Sequence, residues 1–294
     1  FQREGLPVIP LKGPALAETL YRDPGVRPFT DLDLLIRGDD LPGALQLLSA
    51  LGYRHLRTGP PLEFELAWRH AASFVNAEPR GDHLPVDLHW QLLDYPAGAP
   101  AAAIDHREIW GQAIEVDGWG QRRLELCPED LLIYLALHWA VHHACSGLIW
   151  QLDLALLLRR HGGSLDWEGV GERARRWRVS GGLHFALQVV QERLNVGPPS
   201  RLMADLRPRG PRRWALEWLG HRSDEELERL DYLVPVLLLE RSWDVLRLLA
   251  RSLFPAARWV RARYGQQSLV GAYAAHYGRI AKVCLRTIRA WGQA

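Results

Sequence analysis

Long apolar runs, cysteine and lysine are all scarce in this chain, and each scarcity excludes something. The longest apolar stretch, Leu131 to Val141, is interrupted by His138 and falls far short of the ~20 residues that cross a bilayer, so no membrane span is expected. Cys127, Cys145 and Cys284 are odd in number, far apart and form no CxxC pair. That excludes a disulfide framework and a zinc ribbon, and predicts a reducing, cytoplasmic compartment. Lys12 and Lys282 are the only lysines, so nearly every cation is arginine and a lysine at position 12 stands out. No excess of one charge exists either: the formal net charge is +2, which gives no general argument for a nucleic-acid partner. The first residues, Phe1-Gln2-Arg3-Glu4, lack both an initiator Met and a signal-peptide pattern, which predicts that the sequence begins inside a longer native chain.

What is present is ordinary globular material. A composition of 48% hydrophobic and 24% charged residues excludes disorder and fibrous classes, and 294 residues suffice for two modest lobes. Thirteen tryptophans is a high count, and most are expected as core or interface anchors. There is no internal repeat and no low-complexity tract.

Along the chain, Leu6 to Leu11 predicts a short strand whose prolines mark an edge. Lys12-Gly13-Pro14 then turns into a helix at Ala15 to Tyr21, with Leu16 and Leu20 on one face. Asp23-Pro24-Gly25 is a turn, and Asp31-Leu32-Asp33-Leu34-Leu35-Ile36 a strand. Leu41 to Leu51 carries a helical leucine spacing that Gly52 ends. Two further strands, Ala72 to Asn76 and Leu84 to Trp90, are joined by the turn-rich segment 77–82. Beyond the Pro-, Ala- and Gly-rich Tyr95 to Ala103 the pattern turns helical: Pro128 to Ala144, Leu148 to His161, Trp167 to Trp177, Gly182 to Leu194, Arg212 to Leu219, and more between Leu233 and Trp291. The expected fold is therefore α+β, a small mixed sheet lobe at 1–110 followed by a mainly helical lobe at 111–294.

Residues i and i+2 of a strand project from one face, so Asp31 and Asp33 present two carboxylates side by side. Two like charges that close repel unless a cation is shared, and Mg²⁺ takes such hard oxygen ligands while substrate phosphates complete its shell. Asp87, flanked by Val86 and Leu88 in a second strand, is placed to be a third ligand. In metal-assisted phosphoryl or nucleotidyl transfer, carboxylates hold the ions that activate the attacking hydroxyl and steady the leaving group.

These segments resemble a known family. Leu11-Lys12-Gly13, Arg27-Pro28-Phe29-Thr30-Asp31-Leu32-Asp33-Leu34-Leu35-Ile36 and Val86-Asp87-Leu88-His89-Trp90 are similar to signatures of the bacterial "uncharacterised nucleotidyltransferase" family of the polymerase-beta-like superfamily. The similarity continues through Cys127-Pro128-Glu129-Asp130-Leu131-Leu132 and His138, and through Trp150-Gln151-Leu152-Asp153-Leu154, covering roughly residues 5 to 160. The resemblance implies an NTP substrate, a Gly turn at Gly13 that touches the triphosphate, and Asp31, Asp33 and Asp87 as catalytic metal ligands. The chain departs from the superfamily pattern in placing Pro14 after Gly13 and in a longer gap to Asp31. Lys12 and Arg27 can reach phosphate oxygens in compensation, and Thr30 completes the expected nucleotide-binding set.

Other signals are weaker. His138 and His142 share a helical face, but Trp139 stands where a zinc protease helix needs Glu. His89 lies on the face of Asp87, where it can orient a ligand or accept a proton. His89, His138, His142 and Asp153 are the candidates for an acceptor site, ordinary core hydrogen bonding being the plainer account of the last three. Arginines concentrate in the C-terminal fifth, where a solvated helical face is preferred over a nucleic-acid track because no RNA-binding motif accompanies them. The expected activity is Mg²⁺-dependent transfer of a nucleotide from an NTP to a hydroxyl of a small molecule, peptide or carbohydrate. Its rivals are phosphoryl transfer on the same metal site and a non-catalytic chain that binds nucleotide or a partner.

Overall fold

The computed structural model describes residues 1–56, 59–76, 83–93, 102–230, 233–266 and 268–291, with side chains up to 285. The turn expected at 77–82, most of the linker expected at 95–103, and the side chains of Arg286 and Arg289 lie outside the described residues. The chain divides into two compact units, Phe1–Asp94 with Ile104–Leu131, and Tyr95–Ala103 with Leu132–Ala294.

The first unit is built on a five-stranded sheet. Its strands are β1 (Val8–Pro10), β2 (Leu32–Ile36), β3 (Tyr53–His55), β4 (Ala71–Asn76) and β5 (Val86–His89), in the order β1-β2-β5-β4-β3. Pro7 and Pro10 are tolerated because β1 is an edge strand. The β2–β5 pair at the centre is parallel, and the β1–β2, β4–β5 and β3–β4 pairs are antiparallel.

Alternation sorts the two faces. Leu32, Leu34, Ile36, Val86, Leu88, Ala72 and Phe74 point to one side and pack against Ala44 and Leu48 of α2 (Leu41–Ala50), which follows α1 (Pro14–Leu20). Ile36 and Leu88 are fully buried there. The opposite parity places Asp33, Asp87, His89 and Ser73 together on the other face. The apolar face thus sets the register, since a one-residue slip would bury carboxylates against α2.

Five elements of this unit were not anticipated from sequence: β3, α3 (Leu62–Trp68), α4 (His106–Gln112), and the two strands of a hairpin, β6 (Ile114–Gly118) and β7 (Gln121–Glu125). Buried Arg123 of β7 donates to Glu125 at 2.6 Å and to Glu18 of α1, and lies over the Trp119 ring at 4.1 Å. This pairing ties the hairpin to α1, the helix that begins beside Lys12 and Gly13.

The second unit is helical. Its helices are α5 (Pro128–Leu137), which bridges the two units in sequence, then α6 (Leu148–His161), α7 (Trp167–Arg176), α8 (Ser180–Leu194), α9 (Ser200–Leu206), α10 (Pro211–Gly220), α11 (Asp224–Arg229), α12 (Val234–Leu237), α13 (Ser242–Leu253), α14 (Ala257–Tyr264) and α15 (Leu269–Trp291). The helix expected to run unbroken from Pro128 to Ala144 instead ends at Leu137 and continues as a π-helical segment, His138–His142. Ala144 and Cys145 follow with positive φ and Gly147 with φ 92°, which reverses the chain before α6. Burial of the Cys145 thiol pushes its pKa up, so it behaves as a packed apolar group. Among the described residues no helix is long and apolar enough to cross a membrane.

Candidate active site

The site begins with strand geometry. Asp33 and Asp87 are direct partners across the parallel β2–β5 ladder, so their carboxylates issue side by side from the face that α2 does not cover. His89 lies two residues further along the same face, and its Nε2 is 3.1 Å from Asp33 Oδ1. Because a carboxylate oxygen only accepts, the imidazole donates from Nε2.

Lys12 completes the arrangement. Leu11 N–H donates to Asp33 carbonyl oxygen, extending the β1–β2 ladder by one residue, and Lys12 then reaches Asp33 Oδ1 with Nζ at 2.9 Å. The next residue, Gly13, adopts φ 58° and ψ −120° at the N-terminus of α1, a conformation open to glycine at little cost. A side chain there would also meet Asp31 carbonyl oxygen at 3.4 Å. Strand, lysine, glycine turn and helix are therefore wrapped directly onto the carboxylate-bearing strand.

The electrostatics follow from these contacts. Burial by itself would raise Asp33, but the hydrogen bond from His89 and the charge of Lys12 outweigh it and bring the carboxyl down to about 2. Asp31, half-buried just before β2, moves the other way: burial and the charge of Asp33 raise it, Lys12 opposes, and Asp87 adds to the rise. One carboxylate is thus locked in its charged form while its neighbour holds a proton more tightly than usual, the signature of a crowded anionic site.

The donor set fits a divalent metal ion. Asp33, Asp87 and His89 each offer a ligand atom within 4.8 Å of the others. Both partners of Asp33 converge on Oδ1, which leaves Oδ2 for a further cation. Asp31 is not part of that close group, although its charge is felt there. The sequence pairing of Asp31 with Asp33 is thus joined in space by a closer cluster that includes His89.

The remaining expected residues are placed as follows. Arg27 is buried and donates from its guanidinium to the Pro28 carbonyl at 3.1 Å, and Thr30 is exposed. In the second unit, His138 and His142 stack with ring centroids 5.1 Å apart, His143 stacks on Trp150, and Asp153 is fully buried in α6. Sequence reasoning missed His70, whose ring lies edge-on to His89 at 5.3 Å and whose carbonyl accepts from Trp90 N–H. No local pattern signals it, because only the β4–β5 register brings position 70 beside position 89.

A mixed sheet carrying paired acidic residues on adjacent central strands, with a glycine turn folded onto them, is an arrangement that suits a divalent cation and a phosphate-bearing substrate. Residues 1–195 match the family described as "Uncharacterised nucleotidyltransferase", and the chain belongs to that family. No curated protein and no solved structure matches the chain. Membership supports nucleotidyl transfer as the general activity and an NTP as substrate.

Proposed function

We propose that the protein is a Mg²⁺-dependent nucleotidyltransferase that moves an NMP from an NTP to a hydroxyl of a small-molecule, peptide or carbohydrate acceptor. The observation that carries this reading is the in-register placement of Asp33 and Asp87 on parallel central strands, with His89 hydrogen-bonded to Asp33. Mg²⁺ bound among these hard oxygens would neutralise the triphosphate and acidify the acceptor hydroxyl.

Each side chain has a task in this reading. Asp33, kept ionised, would offer Oδ2 as a ligand while His89 orients it through Oδ1. Asp31, whose carboxyl is raised by burial and by the charge of Asp33, would be relieved of that repulsion by a shared cation. Asp87 takes the proton of the acceptor hydroxyl, whose oxygen bonds to the α-phosphorus as the bond to the β-phosphate oxygen breaks and pyrophosphate departs. Lys12 moves from Asp33 to the triphosphate, beside the Gly13 turn and Thr30. Arg27, whose guanidinium donates to the Pro28 carbonyl, is the second cation offered to the phosphate oxygens. The acceptor role is assigned to the helical residues, with His138, His142 and Asp153 as its candidates, and the catalytic role to residues 1–110.

Calorimetric titration of each of the four NTPs with Mg²⁺, into the wild type and into Asp31→Ala with Asp33→Ala, tests the reading. Metal-dependent binding that disappears in the variant supports it and identifies the base for an acceptor screen, where product mass separates nucleotidyl from phosphoryl transfer. A folded wild type that binds no NTP would overturn it.

A further inference from the structure

The last part of the chain differs in charge from everything before it. Residues 241–294 hold ten Arg and Lys side chains against a single acidic residue, Asp244, whereas residues 1–240 hold 26 cations against 33 acids. Asp244 is buried. The near-zero net charge of the whole chain therefore conceals a strongly basic C-terminal segment attached to an acidic remainder, and that segment lies beyond the family match.

The same segment exposes an apolar helix face. In α13 the inward side is narrow, formed by Asp244 and Leu248. Trp243, Leu246, Leu249 and Leu253 are 64%, 56%, 45% and 44% exposed, and Phe254, directly after the helix, is 78% exposed. At 100° per residue these positions fall in one stripe. Exposed Arg247 and Arg251 flank it on one side, Arg247 lying over the Trp243 ring. Tyr277 of α15, itself 45% exposed, donates to the Leu253 carbonyl at 2.9 Å and so adds a third kind of aromatic at the end of the stripe.

We infer that this face is an in-plane anchor for an anionic lipid surface. An apolar stripe bearing Trp and Phe, edged by arginine and embedded in a segment almost without acids, is the pattern that inserts at the headgroup boundary. The 12-residue helix is only about 18 Å long, so it lies along the surface and does not span. A second copy meeting this face with its own would set one basic segment against another, so charge opposes self-association of like faces. RNA would engage the arginines but give no reason for Leu246, Leu249 and Leu253 to face solvent.

Flotation of the intact protein with vesicles of phosphatidylcholine, alone and mixed with phosphatidylglycerol, tests the inference. The wild type is expected to float with the mixed vesicles and not with phosphatidylcholine alone, less so at high salt. Trp243→Ser with Leu246→Ser, both at exposed positions, is expected to reduce that binding about tenfold or more, with circular dichroism unchanged. Arg247→Gln with Arg251→Gln is expected to reduce it severalfold. Failure to float, or equal flotation of the Trp243 and Leu246 variant, would overturn the inference. So would tight binding of oligo(U) RNA by that variant, which assigns the segment to nucleic acid, or a wild-type dimer that Leu246→Ser dissociates, which assigns it to a second copy.

Discussion

Replacing Lys12 with Met isolates the contact on which the site's electrostatics turn. Nζ sits 2.9 Å from Asp33 Oδ1, with side-chain exposures of 13% and 2%. At an effective dielectric of ~20 the gross attraction is about 6 kcal/mol, most of which desolvation of the two charges offsets. The depression of Asp33 from 3.8 to about 2 gives the net scale, about 2 kcal/mol for Lys12 and His89 together. The pH dependence follows in sign. A carboxyl whose folded pKa lies below its unfolded one contributes stability that is present above the unfolded pKa, near 4, and is lost as pH falls through about 2. Lys12→Met should therefore unfold at lower urea at pH 7 by about 1–2 kcal/mol without metal, and the gap to wild type should narrow below pH 3. Removing the competing cation also makes the carboxylates a stronger site, so Mg²⁺ or Mn²⁺ alone should stabilise the variant more than the wild type through mass action. Urea titrations followed by tryptophan fluorescence, with and without metal, measure both effects. Equal stability of the two proteins at pH 7, or a gap that widens toward acid, would refute the reasoning.

Asp31→Asn should raise the melting temperature of the metal-free protein at neutral pH, because the Asp31 carboxylate is held against burial and the charge of Asp33, and should weaken Mn²⁺ binding measured by calorimetry. Gly13→Ala should lower stability by about 1–3 kcal/mol in chemical unfolding, since its φ of 58° with ψ −120° strains any side chain, and should also weaken NTP binding by displacing the turn from Asp31.

The acidic strand, the proline-marked edge strand and the strand bearing Asp87 were legible locally, because each declares itself by alternation or by a turn residue. β3 has only three residues, and β6 is mostly exposed on both faces, so neither carries an apolar alternation to read. α5 looked continuous to Ala144 because apolar spacing is preserved across the π-helical segment, while the break is a matter of hydrogen-bond geometry. The basic C-terminal segment is visible as composition, but composition alone points to a solvated face, because exposure of Trp243, Leu246 and Phe254 cannot be read from spacing. An amphipathic helix normally turns its apolar side inward, and α13 does not.

Residue identities alone decided which chemistry is available, carboxylates at i and i+2 on one strand and, separately, a lysine at a glycine turn, because side-chain charge and strand parity are local properties. Which of them meet was decided only in three dimensions. Parallel pairing of β2 with β5 across more than fifty residues set Asp33 beside Asp87, the β4–β5 register delivered His70 to His89, and the fold at Leu11 brought Lys12 onto Asp33. The physical reason is burial of the opposite face: packing of Ile36, Val86 and Leu88 against α2 fixes the strand register, and the polar face inherits its geometry from that packing.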